Sequence, residues 1–491
     1  MCCTMVSRKQ MLKVLDKSDL DAIHGATLEV LGKTGVLVNS DRTLDLLEKR
    51  GLPVDRSAKR VKMPESVVME SVKSCEKSFK LHARNEKNTI EAVDGKTKLG
   101  PGAECVWYID PKNDEARRPT LRDGIYCCRL LDAMPEVNIA YVPMTAYDVP
   151  DDTRREVCMI AGLVNSSKFT FGGSTDAADV EFSIKLGEIL KGDRESLIKA
   201  PMFAGYVDPI SPLAHEHTML DVLLGYAAIN APVFVTVMAL AGGTAPASVA
   251  GIIAQQNAEV LSSIVIASCV TKNPKIVYGS VSCPLDMRSG SASTGSPEFS
   301  LIGVGAIQMA KYYELPSNMG VQSDSKAVDE QTSYEKAFAA FAAMAAGADF
   351  SDLFIGSTEA FNTFSPVQLA IDEEIAAAAI RFSQGVEVNH ETLSVELMEK
   401  VGPMGSYLKE MNTLMRFRKE HMMPKLSDRS SRNKWAEGGS KSAKERAKGR
   451  LEELLRSYQL NALEPEQKKA FNELLRARAS EYTVDILERG G

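Results

Sequence analysis

Residues 275–322 read KIVYGSVSCPLDMRSGSASTGSPEFSLIGVGAIQMAKYYELPSNMGVQ. The run Lys275–Val281 is apolar on both faces, as a strand buried on both sides should be. Ser296-Pro297-Glu298 then supplies an N-cap, a proline at the first helical position and an early carboxylate. Leu315-Pro316 stops that helix before a second strand-like run, Ser317–Gln322. Strand, capped helix, strand is the unit of a parallel α/β sheet.

The same beat extends in both directions. Further strand-like runs lie at Ile139–Thr145, Lys168–Ser174, Pro201–Tyr206, Pro232–Met238, Asp352–Gly356 and, more weakly patterned, Gly385–Val388. Ser365-Pro366 repeats the capping device, with Gly385 as the stop. Asp329 and Asn389 cap two more helices, stopped by Gly347 and Gly402. Eight successive βα units predict a closed (β/α)₈ (TIM) barrel rather than an open doubly wound sheet, and no GxGxxG follows the first strand. The barrel is expected over 136–402. Residues 1–135 form an N-terminal α+β extension, with amphipathic helices at Ser18–Thr34 and Ser40–Arg50. Residues 403–491 form a basic segment followed by a C-terminal helical extension.

The 491 residues carry a net charge of −7, which gives no reason to expect nucleic acid or an anionic membrane as partner. No apolar run reads as long enough for a bilayer span. Met1–Lys13 is interrupted by Arg8, Lys9, Gln10 and Lys13 and does not read as a signal peptide. The nine cysteines are scattered, with adjacent pairs at Cys2–Cys3 and Cys127–Cys128 and no CxxC. Reduced thiols in a cytoplasmic protein are the expectation, without a metal site. His215-Glu216-His217 lacks the HExxH pattern, and residues two apart on a helix diverge. The basic run Arg416–Arg450 reads as a solvated face.

In such a barrel, chemistry gathers where strands end and helices begin. That rule selects Tyr206 and Asp208 after the third strand, Asp286 and Arg288 after the fifth, Asp324, Asp329 and Glu330 after the sixth, and Glu359 and Phe361 after the seventh. Carboxylates and aromatics around one mouth suit an organic cation, and an arginine beside it can hold a carboxylate. Plainer roles compete: Asp324 and Asp329 serve equally as helix caps, and Arg288 as a partner for Asp286.

Several motifs carry a family likeness. They are Tyr206-Val207-Asp208-Pro209-Ile210-Ser211-Pro212-Leu213, Thr244 to Gly251, Gln256-Asn257-Ala258-Glu259, Tyr278-Gly279-Ser280, Asp286-Met287-Arg288-Ser289-Gly290 and Ser323-Asp324-Ser325-Lys326. Leu81-His82-Ala83-Arg84, Gly100-Pro101-Gly102 and Arg118-Pro119-Thr120 add to them. Over about residues 18 to 425 the chain resembles the trimethylamine methyltransferase family. That resemblance implies a barrel that moves a methyl group from an amine to the Co(I) corrinoid of a separate carrier protein. The founding members contain pyrrolysine, expected after the sixth strand. Here Asp324–Gln331 is made wholly of standard residues, with Glu330 a candidate for the replaced position. The chain therefore resembles the non-pyrrolysine branch, whose members favour quaternary amines: glycine betaine above all, with proline betaine, carnitine and γ-butyrobetaine.

On that footing Glu330 and Asp324 are the expected catalytic residues. Tyr206, Phe361, Trp107 and Tyr108 would form aromatic walls, Asp208 and Glu359 would add negative potential, and Arg288 would hold a substrate carboxylate. Asp21-Ala22-Ile23-His24-Gly25 has the residues of a corrinoid-binding DxHxxG but the wrong spacing. No tightly bound cofactor is therefore expected, and the corrinoid comes with the partner. Association into a homo-oligomer is implied too. Two alternatives stay open: a non-pyrrolysine tertiary-amine demethylase, and a non-catalytic protein that binds methylated amines.

Overall fold

The computed structural model describes residues 11–460 and 462–490. Its centre is a parallel sheet of seven strands: β1 (Lys98–Pro101), β2 (Thr170–Phe171), β3 (Phe203–Val207), β4 (Val233–Val237), β5 (Ile276–Ser280), β6 (Ser317–Met319) and β7 (Phe350–Ile355). β2 to β7 pair in chain order, and β7 pairs with β1 through Phe350–Lys98 and Ser351–Leu99. The gap between β1 and β2 is filled by the extended segment 137–144. Single parallel bridges join it to both neighbours, Leu99 to Val137 and Ile139 to Phe169. The ring is therefore closed, a (β/α)₈ barrel with extensions at both ends of the chain.

One strand differs from the sequence expectation. Gly385–Val388 is not a strand; Val386 and Val388 are exposed on irregular backbone. The eighth position belongs to β1, which lies inside the stretch read as an N-terminal extension. Alternation alone let 385–388 look like a strand, but a strand needs a neighbour to satisfy its backbone.

The capping residues act as read. Ser296 accepts from the Phe299 N–H and Ser365 from the Gln368 N–H, each ahead of a proline at the start of its helix. Asp329 caps Glu330–Ala346, which ends on left-handed Gly347, and Asn389 caps His390–Leu393. By length and composition the helix Val249–Ala267 could cross a membrane, a length the sequence reading did not credit. Here it is a core helix, packed between β4 and β5 and the helices Lys17–Lys33 and Glu65–Ser74. The basic run is also not simply solvated. Lys425 and Arg450 both bind the buried Glu373 on the helix Pro366–Ser383, at 2.7 and 3.0 Å, and so pin the C-terminal extension to the barrel.

Side chains two apart on a strand share a face, which layers the barrel interior. The lower layer is Ile139, Phe169, Ala204, Phe234, Val277 and Phe350, all fully buried. The hairpin of Lys80–Leu81 and Ile90–Glu91 brings Leu81, Ala83, Ile90 and Ala92 against it and seals the barrel from below.

Beside the upper end of β7 lies a fully buried ion pair. Lys336 Nζ meets Asp372 Oδ2 at 2.6 Å and donates to Phe354 O at 2.7 Å and Ser357 O at 2.6 Å. Asp372 also accepts from the Gly356 N–H at 2.8 Å and Gln368 Nε2 at 2.8 Å. Burial pulls the Lys336 ammonium down and pushes the Asp372 carboxyl up, and each partner opposes the other's shift. Removing one member leaves a buried charge alone and costs about 3–5 kcal/mol. Asp372→Ala should lower the unfolding free energy by about that amount in a denaturant titration. The double variant Lys336→Met/Asp372→Leu should recover most of the loss; a double variant as unstable as the single one would contradict this account.

Candidate active site

Above the aromatic floor the strands open into a cavity of about 800 Å³. The alternation that places Phe169, Ala204, Phe234 and Phe350 below places Phe171, Tyr206, Thr236 and Asp352 in the layer above them. Tyr141 stands in the same relation to Ile139, and the next step upward gives Asp208 from β3 and Met238 from β4. A Cβ on Gly279 of β5 would collide with Thr236, so glycine leaves this layer open.

Three aromatic rings form one wall. Tyr141 and Phe171 meet edge to face at 6.0 Å, and Phe171 and Tyr206 at 5.4 Å. Phe234 supports them from below, 4.9 Å from Phe171 and stacked 6.2 Å from Tyr206. Tyr141 is held by a hydrogen bond from its hydroxyl to Pro101 O at 3.1 Å.

Carboxyl groups face this wall. Asp352 is completely buried, and neither of its side-chain oxygens has a hydrogen-bond partner among the described residues. Asn318 Nδ2 beside it, and Thr236 Oγ1 beside the Tyr206 hydroxyl, are buried as well and interact with these neighbours only weakly, short of well-formed hydrogen bonds. Native interiors seldom leave such groups unpaired outside functional sites. Desolvation pushes the Asp352 carboxyl up to about 7. Asp208 is open to the solvent of the cavity yet ringed by protein. Desolvation raises its carboxyl to about 7 too, with Asp352 and Glu104 adding repulsion. Higher on the wall are Arg154 and Arg155. Arg154 is engaged by Ala146 O at 2.7 Å, Val149 O at 3.0 Å and the Asp151 carboxylate. Arg155 is half exposed and pairs with Asp179 at 3.1 Å.

The structure brings together three of the residues selected from the sequence: Tyr206, Asp208 and Phe361 all line the cavity. Phe361 arrives by a strained route. Glu359, Ala360 and Phe361 have φ of 54°, 48° and 73°, three successive left-handed residues without a glycine. Ala360 N–H donates to Ser323 O at 2.9 Å and Phe361 N–H to Gln322 Oε1 at 3.3 Å, which holds the turn. Glu359 accepts a hydrogen bond from Thr363 within it.

The other selected residues lie elsewhere. Trp107 sits on a strand paired with Thr363–Phe364, partly exposed and capped by the Arg118 guanidinium at 4.0 Å. Tyr108, next to it, is buried against Arg117 at 4.8 Å. Asp324 accepts from Thr294 N–H at 2.8 Å and Thr294 Oγ1 at 2.9 Å, joining two loops. Glu330 is exposed on the first turn of its helix, and the Arg288 side chain is 93% exposed beside Asp286 at 3.3 Å. None of these five lines the cavity, and neither does Glu359. Sequence reasoning missed Asp352, Tyr141, Phe171, Glu104, Arg154 and Arg155. Asp352 had a signal: an aspartate inside the apolar run FSDLFI.

Many motif residues form scaffold. Ser280 Oγ donates to Gln256 Oε1 at 2.9 Å, and the Tyr278 hydroxyl to Asn257 Oδ1 at 3.1 Å, behind β5. Glu259 accepts from Ser211 Oγ at 2.7 Å and Leu213 N–H at 2.9 Å, fixing the turn after β3.

With this geometry in hand, comparisons with known proteins agree with one another. The profile of the family described as "Trimethylamine methyltransferase (MTTB)" matches residues 2–483. A glycine betaine methyltransferase of Desulfitobacterium hafniense (strain Y51) is 31% identical over 458 residues, 92% of this chain and 94% of that protein. Trimethylamine methyltransferase MttB of D. hafniense (strain DSM 10664 / DCB-2) is 31% identical over 471 residues, 95% and 94% of the two chains. MttB of Methanosarcina thermophila is 32% identical over 465 residues, 92% and 95%. Since these matches run through barrel and extensions alike, the chain belongs to the trimethylamine methyltransferase family.

Proposed function

We propose that this protein transfers a methyl group from a quaternary amine, with carboxylated betaines such as glycine betaine as substrates, to the corrinoid of a separate carrier protein. The observation that carries the reading is one cavity, sealed below and lined by Tyr141, Phe171, Tyr206 and the carboxyl of Asp208, with the fully buried carboxyl of Asp352 behind that lining and close enough to raise Asp208. Aromatic faces attract quaternary ammonium, and desolvation strengthens that attraction. A carrier-bound cobalt(I) corrinoid, presented at the open mouth, supplies the electron pair that takes the methyl group. The C–N bond breaks with its pair left on nitrogen, so the amine leaves neutral and no proton has to be delivered. This suits a site built from standard residues.

The chain's own work is binding, orientation and charge balance. The aromatic wall fixes the cation with one methyl turned to the mouth, and the closed floor excludes bulk water from behind. Both carboxyls are held near 7 while no cation faces them. A bound cation favours their charged forms. Once the charge has left with the methyl group, a proton returns to the carboxyl, and the cavity is matched to the neutral product.

The direct test mixes purified protein with free Co(I) cobalamin and each candidate amine, reading methylcobalamin by absorbance. Methylation with glycine betaine or its longer relatives is expected; methylation from trimethylamine alone, or binding without transfer, would contradict the proposal.

Asp352→Asn removes a buried, unpaired carboxyl while keeping its shape. Binding of tetramethylammonium, followed by calorimetry, should weaken ten- to hundredfold, roughly 1.4–3 kcal/mol, while the melting temperature holds or rises. For the unmodified protein, the carboxyls are neutral below pH 7 and charged above it. Affinity should therefore rise between pH 6 and 8, by about tenfold for one group titrating near 7. A flat profile would remove the carboxylates from cation binding.

Arg155, rather than the outlying Arg288, is the cation a substrate carboxylate meets. Arg155→Ala should raise KM for a betaine far more than it weakens tetramethylammonium binding. Equal effects would sink that role.

A further inference from the structure

The cavity is larger than a small betaine needs. Its volume of about 800 Å³ lies high in the range that suits drug-sized ligands, whereas a small betaine has only a handful of heavy atoms. The excess is on one side. Phe169 and Phe171 point into the barrel, so Thr170 between them points out, toward the helices. Val142 and Met144 point out as well, because a Cβ on Gly124 of the outer helix Leu121–Ala133 would meet both side chains. Yet Thr170, Val142 and Met144 all line the cavity, together with Cys158, Met159 and Gly162 from the helix Arg154–Asn165. The cavity therefore crosses the barrel wall and continues between sheet and helix.

The wall is open there for a local reason. Lower down, the Ala140 N–H donates to Phe169 O at 3.0 Å, beside the bridge of Ile139 with Phe169. Higher up the two runs part. Thr145 N–H turns to Cys105 O at 3.0 Å, Gly172 N–H turns to Ala204 O at 3.0 Å, and Pro143 has no N–H to give. Among the described residues no backbone hydrogen bond joins 141–145 to 170–175. The seam opens just above the Tyr141–Phe171 ring pair, so it begins at the wall that receives the cation.

We propose that this branch is a second subsite, which takes an uncharged aliphatic arm of the substrate while the quaternary head rests on the aromatic wall. Resting on the head's placement in the proposed function, the subsite adds a substrate class: quaternary amines that carry an apolar chain of several carbons. The lining suits such an arm. At the upper end Arg155 is matched by Asp179 at 3.1 Å. From there the helix descends about 10 Å to Gly162, past Cys158 and Met159, neither of them charged. Burial pushes the Cys158 thiol up to about 12, so it stays neutral. Met144 and Met159 are unbranched and adapt their shape to a flexible chain. Water is a poor occupant, because each molecule needs several polar partners. Among side chains the branch offers only a thiol and the Thr170 hydroxyl, which already donates to Phe171 O at 3.3 Å.

The test is calorimetry on the full chain, comparing tetramethylammonium with butyl-, hexyl- and octyltrimethylammonium. Affinity should rise about fourfold per added methylene until the branch is full. Cys158→Phe fills the branch and should erase the gain for the hexyl compound, with tetramethylammonium binding and circular dichroism left as they are. Gly162→Ala is the gentler variant, since a Cβ there meets only ordinary contacts at 3.6 Å. It should shorten the preferred chain. Tetramethylammonium binding with no gain from chain length would overturn the subsite and leave the reading of the head intact. A gain that survives both variants would place the arm elsewhere and overturn the subsite as well. Failure of every one of these cations to bind would overturn the head's placement, and the subsite with it.

Discussion

Phe234 is the side chain on which the site depends. It lies at the centre of the barrel, 5.0 Å from Phe350, 4.9 Å from Phe171 and stacked on Tyr206. A floor packed this way excludes water from below, so any polar group one layer up exchanges solvent on the mouth side only. Every unusual feature of the cavity follows. Carboxyls that would titrate near 4 in water are pushed up because the floor and the aromatic wall cannot solvate their charge. The same lack of competing water lets an aromatic wall hold a cation that bulk solvent would otherwise keep.

An unpartnered buried carboxyl is costly, and the backbone beside it is held in place by polar contacts. The ion pair Lys336–Asp372 gathers Phe354 O, Ser357 O and the Gly356 N–H at the upper end of β7, just past Asp352. Gln322 Nε2 adds bonds to Leu353 O at 2.9 Å and Ser357 Oγ at 2.6 Å. This framework also confines the left-handed turn that delivers Phe361. A hydrogen-bonded polar cluster beside the barrel, in which only Gln368 Oε1 lacks a partner, thus holds the backbone next to the unpaired groups inside it.

How much of this was legible in the sequence depended on range. Caps at Ser296, Asp329, Ser365 and Asn389 are local, needing only a side chain and the next turn of backbone, and they were readable. The barrel's closing strand was not. β1 is four residues long, contains Gly100 and Pro101, and becomes a strand because Phe350 and Ser351, far along the chain, pair with it. Gly385–Val388 had the alternation without a neighbour. At the site, Tyr206 and Asp208 were found because they follow a clear strand. Asp352 reads as a strand boundary, since an aspartate inside an apolar run is the usual sign of one. Glu330 and Arg288 illustrate the opposite error: position after a strand does not decide direction, and both side chains point to solvent.

The division of labour between motif and cavity explains why family membership narrows the chemistry more than the substrate. Glu259 fixes the turn after β3, Gln256 and Asn257 lock the helix Val249–Ala267 to β5, and Gly279 clears space beside Thr236. These residues keep a barrel of one shape and aim its mouth. Under the proposed reading, the amine meets Tyr206 and Asp208 from one of these motifs together with Tyr141, Phe171 and Arg155 from outside them, all of which line the cavity. A betaine and a simple methylamine differ in the carboxylate that the mouth must receive. Under the proposed reading that carboxylate is met by Arg155 on the cavity wall, while the scaffold residues behind β5 do not touch the substrate at all.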